Sequence, residues 1–151
     1  MKNSIAKAIA TVCGVGYFPV APGTAATAVG AGVALLLCHS PLMYCIVLFA
    51  LLVLGIIASE VVEKQLNAKD PGIVVIDEVV GVMIAFWGLP LTWPVMISGF
   101  FLFRAFDMFK IYPINKLEAK PGGWGIMLDD VMAGLYTNLI LHIALRWAGF
   151  V

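Results

Sequence analysis

Apolar residues in this chain come in long runs, and polar residues gather at the breaks between them. Five breaks stand out: "PVAPGT" (19–24), "HSP" (39–41), "KDPG" (69–72), "LPLTWP" (89–94) and "PGGWG" (121–125). Pro, Gly and small polar residues of this kind end helices and start turns. They leave apolar stretches at about 25–38, 42–59, 73–89, 95–110 and 126–150. No stretch alternates apolar and polar residues over a useful length, so strands are not expected. A helix that crosses a bilayer needs roughly 20 residues, with about 17 at the short end. The second, third and fifth stretches meet that length. The first is short and rich in Gly and Ala, which suits close helix packing or a partial span. Ahead of it, Ile5, Ile9 and Val12 share one helical face, while Ser4, Lys7 and Thr11 share another, as in a short helix lying at a membrane surface. The expected fold is all-α: a polytopic membrane bundle of about five membrane-associated helices plus a short N-terminal interfacial helix. It forms one domain over residues 1–151, with no internal repeat.

Composition agrees with a bilayer setting. The chain is 62% hydrophobic and 12% charged, about half the charged fraction of a soluble domain, and its mean hydropathy is +1.03. The N-terminus does not read as a signal peptide, because Lys7 interrupts its apolar stretch and Gly and Pro follow. Net charge is zero, and no nucleic-acid partner is expected. Cys13, Cys38 and Cys45 form no metal-ligand spacing and read as small hydrophobes.

The placement of charge carries more. If the five stretches alternate in direction, the starting side receives Lys2, Lys7, Lys64, Lys69, Arg104, Lys110, Lys116 and Lys120, and the opposite side only Arg146. The bias of Lys and Arg toward cytoplasmic loops makes the starting side cytoplasmic. All nine acids fall on that same side. Asp77 and Glu78 come one turn into the third stretch, Asp107 about one turn before the fourth ends, and Asp129 and Asp130 one turn into the fifth. Each group then lies roughly 6 Å inside its helix end, near headgroup level.

Five carboxylates at one depth repel unless a cation binds them or protons are retained. Carboxylate oxygens, completed by water and phosphate, are the ligands that Mg²⁺ selects. Arg104, Asp107 and Lys110 recur every three residues along one helix face. Arg104 can hold phosphate oxygens bidentately and Lys110 acts as a point charge. The "APGT" run (21–24) offers backbone N–H groups and the Thr24 hydroxyl as an anion nest. Each feature has an ordinary explanation in dipole-favoured acids, an ion-pair ladder or a helix cap. Their meeting at one depth favours a functional site, since ionisable groups inside a membrane are functional candidates by default.

Other chemistries find no support. Six positions after each cysteine stand Pro19, Tyr44 and Leu51, where a cysteine phosphatase needs Arg. His39 lies in the far-side turn, and His142 suits a packed or interhelical hydrogen-bonding role. No DxDxT aspartyl-phosphatase motif occurs. Metal-assisted attack by water activated by a carboxylate remains.

Four ordered blocks, "VAPGTAAT" (20–27), "DPGIVVIDEVVGVMIAF" (70–86), "LFRAFDMFKIYPI" (102–114) and "GGWGIMLDDVMAG" (122–134), resemble the phosphatidylglycerophosphatase A family. The resemblance implies a Mg²⁺-dependent lipid phosphatase of the bacterial inner membrane, multi-pass, with its site on the cytoplasmic side. Its substrate would be phosphatidylglycerophosphate, and its products phosphatidylglycerol and inorganic phosphate. On this reading Glu78, Asp107 and Asp130 are expected to provide most of the metal coordination, and Asp129 or Asp77 the base. Gly23, Thr24, Arg104 and Lys110 are expected to hold the phosphate. The assignment of base and ligand among the carboxylates does not follow from the resemblance, and an aspartyl-phosphate intermediate is a second route. A small ion-coupled transporter or metal carrier is the rival from another class; it predicts acids near the bilayer midplane. Oligomeric state is not legible.

Overall fold

The computed structural model describes residues 3–112, 114–118 and 120–149; Lys2 and the Glu118 side chain fall outside them. Among the described residues the chain forms helices and no strand. These are α1 (Asn3–Ala10), α2 (Pro22–Leu37), α3 (Pro41–Leu66), α4 (Ile76–Phe86), α5 (Trp93–Phe109), α6 (Ile114–Glu118) and α7 (Gly123–Trp147), with a 3₁₀ turn at Val15–Tyr17. Proline opens α2 and α3 and stands in the first turn of α5, where its missing N–H costs nothing and its fixed φ suits a helix. Asn67 and Lys110, both left-handed, close α3 and α5.

Two helices, α3 and α7, are long and apolar enough to cross a membrane. The expectation of a third full span over 73–89 is corrected: α4 has only 11 residues, about 16 Å of helix against a hydrocarbon core of about 30 Å. Residues 73–75 spend their length reaching α1, where the Val75 N–H donates to the Ala10 carbonyl at 2.9 Å. At the other end Gly88, at φ +71°, turns the chain before Pro90. The continuous apolar run reflects burial inside protein, since nine of the eleven α4 residues are buried. A helix ending inside the bundle leaves orphan carbonyls that need partners. The Tyr44 hydroxyl donates to the Met83 carbonyl at 2.6 Å, and Asn138 donates to the carbonyls of Ala85 and Trp87 at 3.0 and 2.8 Å. His142 lies 3.4 Å from the Trp87 carbonyl, the interhelical role its position suggests.

Glycines let the other helices reach α4. Gly30 of α2 lies on Val79 and Val82, and Gly99 of α5 on Phe86. Gly134 of α7 meets the backbone of Gly81 itself. Gly55 of α3 meets Ile76, while Tyr44, nearer the start of α3, meets Met83 and Trp87. These contacts make α2, α4 and α7 run one way and α3 and α5 the other, the alternation expected from the breaks. The N-terminal helix α1 buries Ala6 and Ala10 and packs on α3, leaving Ile5 outward. Large apolar side chains cover the outside, among them Leu36, Leu42, Phe49, Phe101 and Ile143, far more than a water-facing surface carries as one continuous patch. Exposed aromatics mark both ends, with Phe18 and Trp124 at one and Trp93 and Trp147 at the other. Along α7, Trp124 and Trp147 stand about 35 Å apart, the spacing of two interfacial belts.

Candidate functional site

The first turn of α4 and the second turn of α7 meet at the end of the bundle where α5 finishes and α2 begins. Because Gly81 and Gly134 carry no Cβ, the α4 and α7 backbones touch. That approach brings Asp77 and Glu78 beside Asp130. One carboxylate oxygen from each of the three lies within 4.8 Å of the others. Asp77 is 8% exposed and Asp130 2%. Oδ1 of Asp77, Oε2 of Glu78 and Oδ1 of Asp130 are all buried without a hydrogen-bond partner. Buried carboxylate oxygens left unpaired are costly. Three carboxylates this close, all hard oxygen donors, fit a divalent cation of the Mg²⁺ or Ca²⁺ kind.

The remaining acids are held by cations of the chain. Arg104 on α5 bonds Asp107 one turn further on, and its Nη1 lies 3.8 Å from Glu78 Oε1. Its Nε is buried and unpartnered, so the guanidinium keeps a donor at the cluster. Asp107 is near enough to act electrostatically on Glu78 and Asp130. Lys110, just past the end of α5, places Nζ 3.0 Å from Asp129 Oδ2. Adjacent residues on a helix point about 100° apart, which is why Asp129 faces Lys110 while Asp130 faces the carboxylate cluster.

The start of α2 forms the remaining wall. A Cβ on Gly23 would fall 2.1 Å from Glu78 Oε1 and 3.2 Å from Arg104 Nη1, so the bare backbone lies directly on that pair. The expected run of free N–H groups is corrected in part. The Thr24 N–H already donates to the Ala21 carbonyl at 3.0 Å, because Ala21 takes a left-handed conformation that starts the helix early. All nine residues expected at the site thus lie on four segments that converge at one end. Asp70, in the "KDPG" turn and outside the expected set, is near enough to act electrostatically on Asp77 and Asp129. Its Pro-Gly context marks it as turn punctuation, and only its acidity hinted at more.

A Gly23→Ala variant tests this wall. The added methyl meets the ends of two flexible side chains, not backbone, so the fold is expected to hold while Glu78 and Arg104 shift. A displacement of about 1 Å at reacting groups costs on the order of 100-fold. The expected result is that loss in kcat/KM with an unchanged melting temperature; unchanged turnover would remove Gly23 from the site.

A family model described as Phosphatidylglycerophosphatase A matches residues 8–145. The chain belongs to that family. A phosphatidylglycerophosphatase A of Haemophilus influenzae is 33% identical over 138 residues, covering 89% of this chain and 85% of that one. One of Escherichia coli is 32% identical over 132 residues, covering 85% and 77%. A Bacteroides thetaiotaomicron protein, provisionally named a phosphatidylinositol-3-phosphatase, is 38% identical over 151 residues and 92% of both chains. No solved structure matches this member of the phosphatidylglycerophosphatase A family.

Proposed function

We propose that the chain hydrolyses the terminal phosphate of phosphatidylglycerophosphate at the Asp77–Glu78–Asp130 cluster, releasing phosphatidylglycerol and inorganic phosphate. By its family it is a phosphatidylglycerophosphatase, a phosphoric monoester hydrolase of phospholipid biosynthesis. The observation that carries the mechanism is the convergence of three carboxylates, each with a buried unpartnered oxygen, beside the half-buried Arg104 guanidinium. Asp77, Glu78 and Asp130 would hold Mg²⁺, which takes Asp77 from a base into the cation set. When bound, the ion supplies positive charge against the phosphoryl oxygens and lowers the cost of forming the nucleophile.

The chain's own groups do the rest. Arg104 binds the phosphate oxygens and stabilises charge as it develops on them, with Asp107 fixing its orientation. Asp129, aligned by Lys110, takes a proton from the attacking water. The water oxygen bonds to phosphorus as the bond to the lipid oxygen breaks, and that oxygen leaves as the alcohol of phosphatidylglycerol, taking up a proton returned from Asp129. Lys110 adds positive charge beside Asp129, while Gly23 and Thr24 line the rim. The site sits one to two turns inside the helix ends, so a headgroup reaches it while the acyl chains stay among the outward apolar side chains. The basic residues gathered at this end support a site on the cytoplasmic side of a multi-pass protein in the bacterial inner membrane.

The far end favours no transport route. Tyr44, Asn138 and His142, which lie there, are engaged at the end of α4, and the carboxylates named above gather at the opposite end. The Bacteroides relative's name adds a second substrate reading, phosphatidylinositol 3-phosphate, which offers the same phosphate monoester on a lipid headgroup. Purified protein in vesicles bearing one lipid or the other decides between them. The expected result is phosphate release from phosphatidylglycerophosphate, abolished by EDTA and restored by Mg²⁺. Release only from the inositol lipid overturns the substrate, and turnover indifferent to EDTA overturns the cation.

A further inference from the structure

We infer that the groove between α2 and α5 binds an acyl chain of the lipid substrate, an inference that rests on the phosphatase reading above. Both helices pack on α4, and between them they leave an apolar groove of about 290 Å³. Its α2 wall is small, with Ala28, Ala31 and Gly32; its α5 wall is large, with Trp93, Met96 and Phe100. Each wall leads to the site. On α5, Trp93, Met96, Phe100 and Arg104 follow one another at three- or four-residue steps, so one ridge ends in the guanidinium that faces Glu78. On α2, Thr24, Ala28 and Gly32 make the matching line, one residue on from the Gly23 backbone that lies on Glu78 and Arg104.

The dimensions suit one occupant. Measured along the helices, the groove begins about 5 Å from Arg104, at Phe101, and runs to about 16 Å at Trp93. A phosphate held at Arg104 therefore leaves room for the glycerol linkage before the groove starts, and for the upper part of a fatty acyl chain within it. Bilayer lipid wets every outward face of such a bundle, but this groove alone among the described cavities has walls that end in Thr24 and Arg104. A substrate chain seated there would fix the headgroup's approach to the carboxylates, so remote binding would act on the reacting centre.

Gly32 permits a clean test, because a Cβ there meets nothing within 4 Å. Gly32→Leu starts from a position with open space for its Cβ and projects into the groove, and its melting temperature checks that the fold is kept. An Ile46→Phe change adds bulk to the outward face of α3, where Ile46 is exposed. The substrate is dioleoyl phosphatidylglycerophosphate in mixed micelles with Mg²⁺. Gly32→Leu is expected to lower kcat/KM about tenfold, as losing one to two buried methylenes of contact would, with Ile46→Phe within twofold of wild type. A diazirine near the middle of the substrate acyl chain is expected to label 28–32 and 93–100, with labelling displaced by excess unlabelled substrate and diminished in Gly32→Leu. Wild-type kcat/KM in Gly32→Leu, or labelling spread evenly over the outward helices, overturns the groove. Absence of phosphate release from wild type is a different failure and overturns the phosphatase reading instead.

Discussion

Asp130→Asn is expected to abolish phosphate release, lowering kcat/KM by roughly a thousandfold or more, the scale on which a key group stabilising transition-state charge acts. Asn keeps the shape of Asp but removes one anionic oxygen from a set of three that lie within 4.8 Å of one another. The fold should not suffer. Asp130 is 2% exposed and one of its oxygens has no partner, so in the absence of cation the neutral amide relieves repulsion with Asp77 and Glu78. The variant is therefore expected to insert in the membrane and elute as wild type on size exclusion. Its thermal midpoint without metal should be at or above the wild-type value. The rise in midpoint that Mg²⁺ confers on wild type, which follows from binding the native state only, should vanish. Near-normal turnover in Asp130→Asn would sink the assignment of the cluster as the cation site.

Gly134→Val is expected to lower stability and activity together. A Cβ at that position falls 2.3 Å from the Gly81 carbonyl oxygen and 3.1 Å from Ile84 Cβ. Unlike the side-chain ends facing Gly23, a backbone carbonyl inside a helix cannot step aside. The two helices must part, at a cost of about 1–3 kcal/mol or more for overpacking. Parting α4 from α7 also separates Asp77 and Glu78 from Asp130, so activity should fall with stability. The checks are the melting temperature of detergent-solubilised protein and phosphate release at a temperature where the variant remains folded. Wild-type values in both would mean that the close approach of α4 and α7 does not hold the site together.

Much of this architecture was legible along the chain, for reasons particular residues show. Pro22, Pro41, Pro94 and the glycines at 122–125 mark where helices start, because proline and glycine act on local backbone geometry whatever surrounds them. The depth of the acids could be counted in turns from those marks. Helix lengths were less legible. The charges at Glu60, Glu63 and Lys64 looked like the end of an apolar stretch, yet α3 continues to Leu66, since helices extend readily past a membrane edge into water. The 73–89 run looked like a span because hydropathy does not distinguish lipid from packed protein as the apolar surroundings.

The sequence by itself determined the helical class, the alternation of direction and the gathering of Asp77, Glu78, Asp107, Asp129 and Asp130 at one end, because periodicity, turn residues and hydropathy act locally. Only the tertiary structure decided which of them meet. It joined Asp77 to Glu78 and Asp130, turned Asp129 to Lys110 and Asp107 to Arg104, and laid Gly23 on the Glu78–Arg104 pair. Those partnerships depend on which helices are neighbours and how closely their backbones approach. Side-chain-free contacts such as Gly81 with Gly134 set that approach, and they link residues more than fifty positions apart.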